Sequence, residues 1–509
     1  MALVRKGAVA VADAVKSGEG WRVSAAAYIA ARPAAFGVGR PSSHYVAMRD
    51  GCRLAIDVYL PQAAPAAPGS ELPTILIFTP YYRRFRLTAG APAGTEASPN
   101  AGKWRDLFVP RGYAVVVCDV RGTGASFGTR DSFRSPAERQ DYAEIADWVV
   151  RQPWSNGSLG ATGISYVGAA ADFLASTGHR AVKAIAPLFA VWDTYSDHYY
   201  PGGLLLNRLA ETYDELMLAL DQDRRDLLQK FAYFKDPNLA GPQPVDDDPQ
   251  GELVRAAVAE HRGNFRMTEF IREFRFSDDA LASDPAITPA SFSPYGYCDG
   301  VDRNLAVYSV SGWYDGAGYA NGAIARFLTL NNERQHLLLG PWDHGARVNG
   351  SPWRDRQEPE FPWPPRSCGF SIIICWACRP DLRREARVHY FALGAERWVA
   401  AQGWPPQTST RTLYPLPAGT LVEAPQVASH DAYKVSFAFG SGQMTRYERI
   451  AAIDTPHYYA DWHGRDAALL TYTSAPLAAA AVAGRPCAGD AVARGRSAGR
   501  GAARLPGRR

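Results

Sequence analysis

Five short apolar runs recur along the chain: TILIFTP (74–80), YAVVVCDV (113–120), VKAIAPLF (182–189), LAVYSVSGW (305–313) and QHLLLGPW (335–342). Each is rich in β-branched residues and apolar at successive positions. Both faces must therefore be covered, as in a parallel sheet flanked by helices. Helical patterns lie between the runs. The clearest spans 135–152, with Ser135 as N-cap, Pro136 in the first position, Glu138 in the third, and Ile145, Trp148 and Val149 along one face. Strands alternating with helices predict an α/β, doubly wound, mostly parallel sheet.

The alternation stops between about 191 and 290. There RLAETYDELMLALDQDRRDLLQKFAYF reads as amphipathic helices, followed by a Pro/Asp-rich loop at 236–250. An inserted helical cap over the carboxyl edge of the sheet is predicted. After about 385 the chain changes to short alternating strands between Pro/Gly turns (ARVHYFALG, AYKVSFAFG), which predict a β-sandwich. The expected division is an N-terminal extension (1–40), a catalytic-type α/β domain (41–190 and 291–360), the cap (191–290), a linker (361–384), the β-sandwich (385–484) and a basic tail (485–509).

At 509 residues the chain exceeds one ordinary core, and 47% apolar with 21% charged residues marks it as globular. The net charge of +4 is unevenly placed, because residues 485–509 hold seven arginines against Asp490. The remainder is slightly acidic and offers no electrostatic case for nucleic acid. The seven cysteines include a C-x-x-C at Cys375 and Cys378, but no second pair or histidine stands at metal-ligand spacing. Neither a metal nor a cofactor is expected. A reduced, cytoplasmic chain is the plain reading, with no signal peptide and no apolar run long enough for a membrane.

GATGISYVGAAA (160–171) follows a strand pattern and opens a helical one, the setting of a nucleophile elbow. The generic elbow is G-x-S-x-G, yet here the second glycine comes one residue late, at Gly168. The motif alone leaves Ser165 open between a nucleophile and a serine in a small-residue turn.

The wider pattern bears on that choice. G-x-S-Y-x-G resembles the cocaine-esterase / X-Pro dipeptidyl-peptidase (CocE/NonD) serine hydrolases, in which the late glycine is the rule. The resemblance extends to MRDGCRLAIDVYLP (48–61), TPYYRR (79–84), RGYAVVVCDVRGTGASFG (111–128), QPWSNGSLGATGISYVG (152–168), SGWYDG (311–316) and GPWDHG (340–345), in the family's order. It implies an α/β-hydrolase fold with a following jelly-roll domain, and a serine hydrolase of esters or related acyl compounds. In α/β-hydrolases the order is nucleophile, acid, histidine. Asp315 closes the strand at 305–313 and His344 lies beyond the next, and both match the family's acid and base. His336 sits at the wrong end of its strand, and Asp343 closes none. Asp119 and Arg121 read as supports for the glycine-rich loop 122–128. The oxyanion donors implied are the backbone N–H of Tyr166 and, by resemblance, the hydroxyl of Tyr81, with Tyr82 as the adjacent alternative. Trp192, Tyr199, Tyr200 and Trp313 are candidates for an acyl pocket, with cap packing as the alternative.

Two stretches depart from the family. PPRSCGFSIIICWACRP (364–380) stands where a segment like F-x-D-H-H-L-x-G is expected, and FSIIICWAC in GC-rich codons shifted by one base encodes Leu-Asp-His-His-Leu-Leu-Gly-Val. An Arg/Gly/Ala-rich tail replaces later jelly-roll strands. Two compensating frame changes are the expectation for the first stretch and a further shifted frame for the tail, and with the latter an incomplete β-sandwich. The expected substrate is a small ester or a short peptide, with a homodimer as an optional assembly. The rival readings are a dipeptidyl-peptidase, which would need cap carboxylates such as Asp193, Asp197 or Glu211 for a substrate ammonium, and an impaired remnant acting as a binding protein.

Overall fold

The computed structural model describes residues 33–62, 71–351, 386–406, 411–434 (apart from 426, 428 and 429) and 469–476. The 364–380 and 485–509 segments, with the frame-change reading attached to them, lie outside the described residues.

Ten strands form the main sheet: β1 (Ser42–Ala47), β2 (Arg53–Tyr59), β3 (Leu72–Thr79), β4 (Ala114–Asp119), β5 (Ser155–Ile164), β6 (Val182–Leu188), β7 (Ala306–Gly312), β8 (Gln335–Gly340), β9 (Val388–Ala392) and β10 (Arg397–Ala401). Their order is β10-β9-β8-β7-β6-β5-β3-β4-β2-β1. The seven strands from β4 to β9 in that order pair in parallel, and β1, β2 and β10 run antiparallel at the two edges. All six residues of β4 and of β8 are buried, as continuous apolar runs require. Successive side chains serve opposite faces. Ile75 and Ile77 pack with Trp104 and Phe108 of α1 (Gly102–Phe108), whereas Leu76 and Phe78 meet Tyr142, Ile145 and Phe173 on the other side.

Helix α2 (Pro136–Val150) begins as predicted, the Ser135 side chain accepting the Glu138 N–H at 3.2 Å. Helix α3 (Tyr166–Ser176) is buried along its whole length, which its Gly/Ala-rich start permits. Helix α4 (Asn207–Asp221) and α5 (Glu252–Glu260) belong to the inserted region, and α6 (Tyr319–Thr329) packs beneath β8 and β9. The glycine-rich loop is held as expected. Asp119 accepts the backbone N–H groups of Arg83 and Ala125, and Arg121 bridges Asp50 and Asp141.

One boundary is corrected. Val388–Ala392 was expected to open the β-sandwich, but it joins the hydrolase-type sheet, with Leu337 opposite Val388 and Leu339 opposite Tyr390. All five residues are buried because α6 supplies Ala323, Ile324 and Phe327 to cover one face. Of the remaining sandwich, the described residues include only a three-stranded sheet built from Tyr414–Leu416, Thr420–Val422 and Thr473–Ser474.

Candidate active site

The chain leaves β3 toward β4 on one side and returns to β5 on the other, so the topological switch point lies between β3 and β5. Ligand crevices form there, at the carboxyl ends of strands. Tyr81 follows β3, Ser165 follows β5, Asp315 follows β7 and His344 follows β8.

Ser165 sits between β5 and α3 at φ +65°, ψ −122°, a conformation that costs a non-glycine residue energy and must be imposed by its surroundings. Its N–H donates to Leu188 O at 2.9 Å, tying the turn to β6. The late glycine has a steric explanation. The usual spacing would put glycine at position 167, where Val167 stands. A Cβ on Gly163 would lie 2.2 Å from Val167 Cγ1, and one on Gly168 would lie 2.7 Å from Gly163 O and 2.9 Å from Ala190 Cβ. Both glycines are therefore fixed by contact. Gly168→Ala is expected to destabilise the protein by about 1–3 kcal/mol through overpacking. Thermal denaturation checks this, and an unchanged midpoint would show that α3 shifts freely on the sheet.

His344 Nδ1 lies 2.9 and 3.0 Å from the two Asp315 carboxylate oxygens. An acceptor-only carboxylate fixes the proton on Nδ1 and leaves Nε2 as a base. Asp315 is fully buried, and burial pushes its carboxyl up to about 6 despite the opposing pull of His344. The rings of Tyr319 and Phe189 flank His344, with centroids 5.0 and 6.1 Å away. Asp343 turns away, accepting the N–H groups of Arg347 at 2.7 Å and Val348 at 3.0 Å to close the loop. His336 stacks on Tyr308, its partner in the neighbouring strand β7.

The Tyr81 hydroxyl shares a hydrogen bond with Tyr213 of α4, and Tyr81 and Tyr319 lie near enough to Ser165 for its side chain to favour the ionised form of each phenol, against the larger effect of burial. Burial pushes the Tyr81 phenol up to about 12, so it is a protonated donor at neutral pH. Tyr82 bonds to Leu220 O instead. The Tyr166 N–H opens α3, where no earlier turn can take it. Its side chain is anchored elsewhere: the hydroxyls of Tyr166 and Tyr142 both donate to Glu138 Oε2.

The aromatic candidates divide. Tyr199 is buried and stacks on His198 at 4.7 Å. Tyr200 stacks on Tyr195 and bonds Ile271 O. Trp192 donates to Thr329 Oγ1 and lies under Arg326, and Trp313 donates to Phe391 O and meets Trp404. Neither tryptophan is brought to Ser165. Tyr213, Tyr319, Phe133 and His198 line the site without having been expected. No local motif marks them, since they come from the cap, a helix start and a loop. Among the described residues no group of three His, Cys, Asp or Glu side chains could share a metal, and no helix is long and apolar enough to cross a membrane.

Comparison with known proteins bears on this arrangement. The model of the X-Pro dipeptidyl-peptidase (S15 family) matches residues 50–346. A protein of Mycobacterium bovis named as a serine esterase is 38% identical over 86% of this chain and 73% of its own length. The cocaine esterase of a Rhodococcus strain is 29% identical over 73% of this chain and 62% of its own. A solved CocE/NonD family hydrolase of Staphylococcus aureus superposes with a TM-score of 0.52 at 19% identity, over 75% of this chain and 60% of that one. An aminopeptidase from a marine sediment archaeon gives 0.54 at 20% identity, over 77% and 64%. The chain thus spans less than two thirds of either solved chain, and these two likenesses speak for the fold, an α/β-hydrolase-like one. The elbow, the strand order and the match across 50–346 agree, and the chain belongs to the X-Pro dipeptidyl-peptidase (S15) family of serine hydrolases.

Proposed function

We propose that the protein hydrolyses carboxylic esters of small molecules through an acyl-enzyme on Ser165. Ser165 Oγ attacks the ester carbonyl as its proton passes to His344 Nε2. Asp315 holds the imidazole in the Nδ1–H tautomer and stabilises the imidazolium that forms. The Tyr166 N–H and the Tyr81 hydroxyl take the charge developing on the carbonyl oxygen. His344 returns the proton to the leaving alkoxide, and a water repeats the sequence on the acyl-enzyme. The observation that carries this reading is the buried Asp315–His344 hydrogen bond at the same sheet edge as a serine held at positive φ. Labelling with a fluorophosphonate probe tests it. Modification at Ser165 is expected, and a folded protein that never labels there would refute the mechanism.

Tyr81→Phe is expected to leave Ser165 labelling intact while lowering kcat by about two to three orders of magnitude. Tyr82→Phe should lower stability and spare the rate. Steady-state kinetics on both variants decide the matter, and the reverse pattern would move the oxyanion role by one residue.

An ester is favoured over an X-Pro peptide by the use made of three carboxylates. Asp197 accepts the N–H groups of Trp192 and Asp193, Asp193 accepts that of Tyr195, and the half-buried Glu211 accepts from Asn207 and Arg208. Asp193 and Asp197 are thus committed to shaping the turn at 192–197, and Glu211 to its own helix. Hydrolysis of p-nitrophenyl acetate should therefore exceed that of Gly-Pro-p-nitroanilide.

A further inference from the structure

His198 lies on the five-residue π-helical turn Tyr195–Tyr199, a conformation that is rare and frequent at functional sites. Its side chain is buried, yet neither ring nitrogen has a hydrogen-bond partner. The ring stacks on Tyr199 at 4.7 Å and meets Tyr319 at 5.8 Å, Tyr213 at 5.9 Å and Phe133 at 6.3 Å. Tyr319 lies against His344, with ring centroids 5.0 Å apart, and Tyr213 bonds Tyr81. His198 thus shares its walls with the nucleophile.

A second unmet group stands beside it. Arg134 is buried at φ +67°, its guanidinium 4.5 Å from the Phe133 ring centroid and 5.3 Å from that of Tyr166. It donates to Thr194 Oγ1 at 3.2 Å, its Nε has no partner, and among the described residues no carboxylate lies within ion-pair distance of it. The neighbouring carboxylates are engaged elsewhere, Asp221 by Arg130 and Glu138 by two tyrosine hydroxyls. The Arg134 charge is felt at His198, Tyr199, Tyr213 and Tyr319, and together with burial it keeps His198 neutral. The Tyr199 hydroxyl is likewise unpartnered.

Buried donors without acceptors cost a fold stability, and they persist where a ligand supplies what is missing. We infer that His198, Arg134 and Tyr199 form a subsite for a carboxylate carried on the acyl part of the substrate, one to several methylenes from the scissile carbonyl. Two neutral donors and one uncompensated cation match an anion with several lone pairs. A hydroxyl would leave the guanidinium without a counter-charge. The rings of Phe133 and Tyr213 suit the methylene spacer. The preferred substrates are then half-esters of dicarboxylic acids, and the product would be a dicarboxylate. This deepens the esterase reading and rests on it.

The test compares kcat/KM, by pH-stat titration near neutral pH, for monomethyl succinate, glutarate and adipate. Each is set against the methyl ester of the apolar acid of matched length. At least one half-ester is expected to be preferred by about tenfold or more, since a site built for hydrogen bonding rejects the analogue that lacks the group. His198→Phe, which keeps the ring, should abolish that ratio, as should Arg134→Met. An apolar preference at every length overturns the subsite, and so does a ratio unchanged in His198→Phe, which serves alone if Arg134→Met does not fold. If apolar methyl esters are turned over and Ser165 labels, only the subsite falls. If no ester is hydrolysed and Ser165 stays unlabelled, the esterase reading and the subsite fall together.

Discussion

Replacing Ser165 or His344 with alanine is expected to lower kcat on any accepted ester by about six orders of magnitude, and replacing both should be little worse. The reason is that the serine is a weak nucleophile until its proton has somewhere to go. Without His344 the hydroxyl cannot be activated, and without Ser165 the imidazole has nothing to activate. A residual rate above water should survive in all three variants, because Tyr81 and the Tyr166 N–H would still stabilise the oxyanion of a water attack. Single-turnover kinetics, with enzyme concentration fixed by absorbance, measures the losses. Additive losses, with the double variant far below either single, would mean that the two side chains act independently and that the proton leaves by another route.

Asp315→Asn is the second large effect, and it should separate activity from stability. The Asp315 carboxyl titrates at about 6, above its ordinary value of 3.8, chiefly because it is buried. The un-ionised form therefore favours folding at pH below 3.8, and that contribution is lost as pH rises through about 6. Holding the ionised carboxylate in place above that pH costs about 3 kcal/mol. The asparagine variant escapes this cost, so it should melt above the parent at pH 8 and close to it below pH 4. Its rate should fall by about four orders of magnitude, because the amide can donate to Nδ1 and trap the proton on Nε2. In the parent, kcat/KM should decline as pH falls through about 6. Calorimetry across pH with matching rate profiles checks both parts. A lower midpoint for Asp315→Asn at pH 8 would show that the ion pair outweighs the desolvation of the carboxylate.

The parts of the site that sequence could reach are those attached to strands. TILIFTP, SVSGW and LLLGPW announce their carboxyl ends, and Tyr81, Asp315 and His344, within two residues of those ends, are then placed by topology. Ser165 needed a longer pattern, because Val167 displaces the glycine that defines the simpler motif. The side chains that close the pocket left no such trace. Tyr213, Tyr319 and His198 come from α4, the start of α6 and an irregular turn, and only the tertiary fold brings them together. Trp192 and Trp313 show the converse, since aromatic content near the cap says nothing of the direction a ring takes. The strand at 388–392 was misjudged because His389 breaks its apolar run into an apparent alternation. In the fold that histidine is buried as deeply as its neighbours.

Glu138 belongs to two structures at once. It is the third residue of α2, bonded through its N–H to the Ser135 cap, and its carboxylate receives the Tyr166 hydroxyl at the elbow. Strained active-site turns usually sit at the low end of a protein's local stability, where segments open without the rest of the molecule. Here the turn is stapled to the first turn of a core helix, so it cannot loosen without unwinding that helix as well. The backbone around Ser165 should therefore open only with the sheet and helices beneath it, as part of one foldon rather than as a mobile loop.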